Sequence, residues 1–380
     1  MRKYAIPGIV AILVLLVVAF TATPQYRALR LLSYIQPNRS LAARLLFPGR
    51  PVYTFAVEPP SENGSNAEGL IVSPSPSGTP VKAGVVLLPG TFPDAPRDPE
   101  VLALAKGLVE DGVAVYVPGI RSMFDADITD STLEQSEQAV KWFAQSRYVR
   151  SGKVSVVGIC AGASMAVLTA ENTLSKPFVK IVVADDPYAS LFDVLMATAT
   201  GYGPDQQGFV QPFQMNPWTR WEVAHSAAYM IDDEKSRNTF LQVLGGEPSQ
   251  GDPFLGLRAA APPAGLSPSA MAWWRLFADS SASDFESYYV ALPAAVQERL
   301  GAISPETNIG QVSVPVYVIA PTRDTAYPQQ EVVRLQQGSP RWMDVIMTPA
   351  IDHVVPQIDS LGDFWALLKF AIKVVNAITH

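Results

Sequence analysis

Cys160 is the only cysteine among 380 residues, and two glycines flank it in Gly158-Ile159-Cys160-Ala161-Gly162. An ionised thiol is a strong nucleophile, and a lone cysteine belongs to no intrachain disulfide and no multi-cysteine metal site. The apolar run Val154-Ser155-Val156-Val157 precedes it, and small residues at helical spacing follow from Ala161. That order spells a strand, a sharp turn and a helix: a nucleophile elbow with cysteine where serine usually sits. A side chain at Gly158 or Gly162 would crowd the strained turn. The helix beginning at Ala161 points its N-terminus at the sulfur and favours thiolate. The plainer alternative is a buried structural cysteine behind a core strand.

A cysteine nucleophile needs a base, a group that orients the base, and donors for an oxyanion. The chain has three histidines, His225, His353 and His380. His380 ends the chain and His225 falls in a long block without strand–helix alternation. His353 follows the last strand-like run, Met343 to Met347, so it belongs on a loop at the edge where Cys160 sits. It is the expected base. Asp324, just past Val314 to Ala320, is the expected orienter, which gives the order nucleophile, acid, histidine. Asp185 and Asp186, after the preceding strand, are its rivals; Asp352 is too close to His353 to reach back easily. The expected oxyanion donors are the N–H of Ala161 and that of Thr91 or Phe92, after the turn at Pro89-Gly90.

Stepping from these residues to the elements that carry them, apolar runs at 83–88, 113–117, 154–159, 179–184, 314–320 and 343–347 read as strands. Helical periodicity lies between them at 99–111, 132–147 and 329–337, with a closing helix at 361–378. Such alternation implies a mostly parallel sheet with helices on both faces. The expected core is 51–190 with 310–380. Residues 191–309 form an expected, mainly helical lid inserted before the penultimate strand. Ligands bind at the carboxyl ends of such strands. Within the insertion Trp218, Trp221, Trp273 and Trp274 are candidates to line an apolar substrate pocket.

Hydrophobic residues make up 48% and charged residues 17% of the chain, which describes a globular protein. A net charge of −7 gives no reason to expect nucleic-acid binding. The sequence has neither a Cys/His cluster at metal spacing nor a glycine-rich phosphate loop, so no metal and no cofactor is expected. Tyr4 to Ala22 carries no charge and is long enough to span a bilayer. Residues 1–24 therefore read as an N-terminal membrane anchor or signal segment, with the uncleaved anchor preferred. Arg2 and Lys3 favour an exported body, although Arg27, Arg30, Arg39, Arg44 and Arg50 pull the other way. Residues 25–50 form a basic amphipathic connector that suits a lipid surface or the body of the protein equally.

The elbow, Asp324 and His353 in that order, and Pro89-Gly90-Thr91-Phe92 together resemble the α/β-hydrolase superfamily. A cysteine in the elbow is most similar to its dienelactone-hydrolase branch, which opens lactones and esters with a Cys–His–Asp triad. The anchor and the long insertion depart from the small members of that branch. The resemblance implies a hydrolase that cleaves a carboxylic ester, lactone or thioester through an acyl-cysteine. Its partner would be a small-molecule acyl substrate. The alternatives are an acyltransferase with the same triad and a non-catalytic hydrolase-fold binding protein.

Overall fold

Short apolar runs become the eight strands of one sheet. In chain order they are β1 (Tyr53–Val57), β2 (Asn66–Ser73), β3 (Gly84–Leu88), β4 (Ala114–Ile120), β5 (Val154–Ile159), β6 (Val179–Asp185), β7 (Val316–Pro321) and β8 (Met343–Thr348). This computed structural model describes residues 23–35, 40–59, 66–246 and 251–380. Across the sheet the order is β1-β2-β4-β3-β5-β6-β7-β8. β2 runs antiparallel to both neighbours, and every pair from β4 onward is parallel. All five residues of β3 and all seven of β4 are buried, as strands covered on both faces require.

Alternate side chains of β5 feed two apolar layers. Val154 and Val156 pack with α3 (Asp130–Gln145) and α4 (Ala161–Glu171), whereas Val157 packs with α2 (Pro99–Val109) and the closing helix Leu361–Thr379. Local signals start these helices. Asp98 caps α2 by accepting from the N–H groups of Glu100 and Val101, and Pro99 occupies the first turn, where its missing N–H costs nothing.

Between β6 and β7 the chain runs through five longer helices, α5 (Leu191–Thr200), α6 (Pro217–Ala228), α7 (Glu234–Leu244), α8 (Pro268–Asp279) and α9 (Ala294–Ala302). Their large side chains enter the same apolar cluster as the sheet: Trp221, Phe240, Trp273 and Trp274 join Val156, Val182 and Val318. The inserted segment therefore continues the core. After β7 come α10 (Gln330–Gly338), β8 and α11 (Leu361–Thr379).

The basic stretch after residue 23 takes the second of its two options. Helix α1 (Pro24–Ile35) lies on the body, with Ala28, Arg30, Leu31 and Ser33 buried. Arg30 Nη2 donates to the Glu110 carbonyl at 2.8 Å and to Asp111 Oδ1 at 2.5 Å, and Arg27 Nε reaches the same carboxylate oxygen at 2.9 Å. The short helix Leu41–Leu46 that follows leaves Leu41, Leu45 and Leu46 exposed. The apolar stretch Tyr4–Ala22 lies outside the described residues. Among the described residues no helix is long and apolar enough to cross a membrane.

The turn between β5 and α4 has no room for methyl groups. A Cβ on Gly158 would overlap the Gly162 carbonyl. One on Gly162 would overlap the Leu88 carbonyl and stand 2.7 Å from Gly90 N. These neighbours are backbone and cannot swing aside. Gly162→Ala should thus cost about 3 kcal/mol, the upper end for overpacking a tight interior. Urea unfolding measures this, and an unchanged midpoint would contradict the close approach of the two strand ends.

Candidate active site

The site is built at the carboxyl edge of β5, β6, β7 and β8. Backbone bonds continue the sheet past its strands there. Cys160 N–H donates to the Asp185 carbonyl at 2.9 Å, Asp186 N–H to the Ile319 carbonyl at 2.8 Å, and Thr322 N–H to the Thr348 carbonyl at 3.1 Å. Cys160 then turns into α4 with φ 54° and ψ −129°. Five non-glycine residues among those described have positive φ: Asp94, Ala126, Cys160, Asp186 and His353. Such backbone costs of order 1–3 kcal/mol per residue and persists where the surroundings enforce it. Three of the five meet at this edge.

His353 stands at the tip of a tiny hairpin in which Ile351 pairs with Pro356 and Asp352 with Val355. Its positive φ at the first central residue suits a two-residue hairpin turn. The ring's Nδ1 is 2.6 Å from Asp186 Oδ2 and 3.6 Å from Asp324 Oδ1. Asp186, the rival, is thus the ring's close partner. The expected orienter, Asp324, spends its oxygens on its own loop, accepting from Ala326 N–H at 2.9 Å and Tyr327 N–H at 2.6 Å. These three side chains bring ligand-type atoms within 4.8 Å of one another. The direct contact from Nδ1 to Asp186 is the geometry in which a carboxylate orients an imidazole.

Tyr327 was not singled out in the sequence. Its hydroxyl is 3.3 Å from Cys160 Sγ, and its ring meets the rings of Tyr188 and His353 edge-on. The loop that caps itself on Asp324 is what aims this tyrosine at the sulfur. The available signal was a buried-type aromatic three residues past an aspartate in a strand-end loop. Tyr188 is clamped in turn: Ser164 Oγ on α4 donates to its carbonyl at 3.0 Å and accepts from its N–H at 2.9 Å.

The ring of His353 lies close enough to the sulfur to feel its charge. Burial of the ring opposes protonation, but the negative sulfur of Cys160 and hydrogen bonds to Asp186, Asp324 and Cys160 outweigh it, so the imidazole pKa is raised. The protonated ring is the form this surrounding favours.

Ala161 is the first residue of α4, so its N–H has no partner within the helix. Gly90, at φ 78°, brings the β3 loop against the elbow: a Cβ there would lie 2.8 Å from the Ile159 carbonyl and 3.5 Å from Cys160 Cβ. Thr91 follows and its side chain meets Glu222. The Phe92 ring turns away into the layer of α2 and α11.

Beside Ala161 and Tyr327 lies a narrow cavity of about 40 Å³. Ile128, Leu191, Val194, Leu195, Val223, Met230, Leu300 and Ile303 make it apolar; Tyr188, Glu222, Ser226 and Trp273 add polar atoms. Of the four candidate tryptophans, Trp273 alone lines it. The others serve the packing of the inserted helices. Trp221 stacks on His225 with centroids 4.6 Å apart and donates to the Gly245 carbonyl, Trp218 leans on Trp221, and Trp274 packs edge-on against Phe240. His225 is bound through Nδ1 to the Ala126 carbonyl at 2.9 Å, away from the sulfur's partners.

The strand order, with one antiparallel strand near the edge and a cysteine elbow after β5, defines an α/β-hydrolase fold. The sequence model described as the Dienelactone hydrolase family matches residues 118–184, which span β4 to β6 and include the elbow. No curated protein matches the chain. Among solved structures, the chain is similar to an esterase of Pyrobaculum calidifontis at 15% identity, covering 96% of this chain and 92% of that one with a TM-score of 0.45. It is also similar to a Pyrococcus furiosus esterase at 14% identity (84% and 91% covered, TM-score 0.48). A third is esterase B of Lactobacillus rhamnosis at 13% identity, covering 86% of each chain with a TM-score of 0.47.

With a single thiol, the state of the sulfur is directly readable. Losing the carboxylate nearest Nδ1 should weaken the imidazolium and with it the thiolate. Asp186→Asn is expected to slow alkylation of Cys160 by iodoacetamide at pH 6 about tenfold, one pKa unit of ion-pair support. Asp324→Asn should slow it less. The reverse ranking would return the orienting role to Asp324.

Proposed function

We propose that this chain is a hydrolase that cleaves a carboxylic ester, lactone or thioester by acyl-cysteine chemistry. The observation that carries the reading is the meeting of Cys160, Asp186 and His353, each with strained backbone, at one sheet edge. In this reading the Cys160 thiolate attacks the acyl carbon, a C–S bond forms, and the carbonyl π electrons move onto oxygen. The N–H groups of Ala161 and Thr91 receive that oxyanion, while Tyr327 O–H steadies the sulfur before attack. Collapse breaks the bond to the leaving group, which takes its proton from the His353 imidazolium. The neutral ring then removes a proton from water, hydroxide adds to the thioester, and the second collapse returns the thiolate and releases the acid. Asp186 holds the ring by Nδ1 throughout, and Asp324 assists from 3.6 Å. The apolar lining of the cavity suits an acyl part without a charged chain.

Activity-based trapping tests this. The chain is mixed with nitrophenyl esters, short lactones and acyl thioesters, quenched in acid, and the acylated peptide is identified. The expected mark is on Cys160, and Cys160→Ala should lower turnover at least about 10³-fold. Full turnover in that variant would refute the reading. A Cys160 that never acylates would leave a binding protein of hydrolase fold. Acyl transfer is a second reading, favoured by a sulfur only 8% exposed beneath inserted helices that limit water. Ester or amide products on adding alcohols or amines would select it.

The uncharged stretch Tyr4–Ala22 is proposed to tether an exported body to a bilayer. Full-length chain should stay with membranes through an alkaline carbonate wash, and its release into the wash would rule out an integral anchor.

A further inference from the structure

The cavity holds one carboxyl that none of these steps uses. Glu222 lies in the middle of α6, which the inserted segment lays across the mouth of the elbow. Its residue is 5% exposed and lines the cavity together with Ala161 and Tyr327. Its side chain reaches Thr91 on the loop that wraps the elbow. The carboxyl therefore lines the same cavity as Ala161 and approaches the loop that carries Thr91. The titratable groups that face it come from three other segments: His353 from the hairpin, Tyr188 from the loop after β6, and Tyr327 from the loop after β7. Cys160 acts on the same two tyrosines from the elbow. No lysine or arginine pairs with Glu222 among the described residues.

The charge state of such a group decides what it does. An ionised Glu222 would be desolvated without a cation of its own, and it would repel both a thiolate and the oxyanion formed from it. A protonated carboxyl is an O–H donor pointed into a water-poor site, where a donor gains most as negative charge develops. We propose that Glu222 is a catalytic residue that works as a neutral acid, donating a hydrogen bond from its protonated carboxyl to the carbonyl oxygen of the substrate. The proton stays on Glu222 during attack and collapse, and no bond to it breaks. The same carboxyl selects substrates whose acyl part carries no negative charge. The proposal rests on the acyl-cysteine reading.

Two features of the site agree with it. Burial pushes the Glu222 carboxyl up to about 7, against smaller downward pulls from Thr91 and His353. A raised carboxyl pKa means the neutral form fills at low pH and empties as pH rises through 7. Catalysis that depends on it must then fall on the alkaline side of neutrality. His353 is raised as well, so loss of its imidazolium is a rival source of an alkaline fall, and the Glu222→Gln profile separates the two groups. Asp185, also pushed up to about 7 by burial, feels His353 and Asp324 and is the other rival group the variants must exclude.

The test is the pH profile of kcat/KM for a neutral nitrophenyl ester, read on the full chain and on Glu222→Gln and Glu222→Ala. The unaltered enzyme is expected to lose about tenfold per pH unit above 7. Glu222→Gln keeps a donor and has no charge to gain, so it should stay within about tenfold of the parent at pH 6 and lose the alkaline limb. Glu222→Ala should lower kcat about 10²-fold with KM little changed, the cost of one oxyanion donor. Thermal melts confirm that both variants fold. An alkaline limb that survives in Glu222→Gln assigns it to another group, Asp185 first, and overturns the proposal. So does an alanine variant with unchanged kcat. Acid-quenched trapping on the same samples separates this from failure of the parent reading: Cys160 acylated in every variant leaves the acyl-cysteine chemistry standing whatever Glu222 does.

Discussion

The bond from Cys160 N–H to the Asp185 carbonyl is the constraint on which the site depends. It extends the β5–β6 ladder by one residue, so the chain must begin its turn at Cys160 and nowhere earlier. The turn is made at φ 54° on Cys160, and Gly158 and Gly162 on either side let the Gly162 and Leu88 carbonyls approach where a side chain would block them. The next rung, Asp186 N–H to Ile319, repeats the device one strand over. It bends Asp186 out of the sheet at φ 56° and turns its carboxylate toward the hairpin that carries His353. Strain in these turns is thus held by the rigid sheet beneath them. A parallel sheet can do this because all its strand ends face the same way.

The inserted helices depend on the same edge. Glu331, buried on α10, accepts from the N–H groups of Ala189 and Ser190 at 2.7 and 2.6 Å. That clamps the point where the insertion leaves β6. Arg334, one turn further, pairs with Asp193 on α5 and Glu306 beyond α9. Because Trp273, Phe240 and Trp221 share one core with β5 and β6, the roof of the cavity is as fixed as its floor. Lifting it would expose core, which costs far more than opening a surface flap. Access to the sulfur must come from adjustments of side chains and short loops around the cavity.

What could be read from the sequence was local in origin. Gly-x-Cys-x-Gly after an apolar run encodes its turn within five residues, and three histidines left few choices of base. The strands of the parallel sheet announce themselves as unbroken apolar runs. The choice between Asp186 and Asp324 was not local. Both lie at strand ends facing His353, and only the folded chain shows Nδ1 nearer to Asp186, at 2.6 Å, than to Asp324, at 3.6 Å. The tryptophans share that ambiguity. Helical spacing tells which residues lie on one face, not whether that face meets a cavity or another helix. Glu222 sits among Trp221, Val223 and Ala224, and a single acid in an apolar helix reads as its solvent side until the helix is seen laid over the elbow.

The abundance of acids around His353 bears on why a thiol suits this site. Asp186 and Asp324 both approach one ring nitrogen, and Asp185 and Glu222 lie just beyond it. Asp186 and Asp324, together with the sulfur of Cys160, raise the imidazole pKa, so the site favours the imidazolium. A serine alcohol, with its high pKa, would then face a ring that has no vacancy for its proton. A thiol is by nature far more acidic than an alcohol, and the proposed mechanism uses it as the thiolate. When that thiolate attacks a carbonyl, the negative charge moves from sulfur to oxygen across two bonds, and the total charge of the site is unchanged. In the proposed mechanism Asp186 and Asp324 are then a reason for the cysteine: they support the imidazolium that a thiolate needs and that a serine mechanism must create afresh during attack.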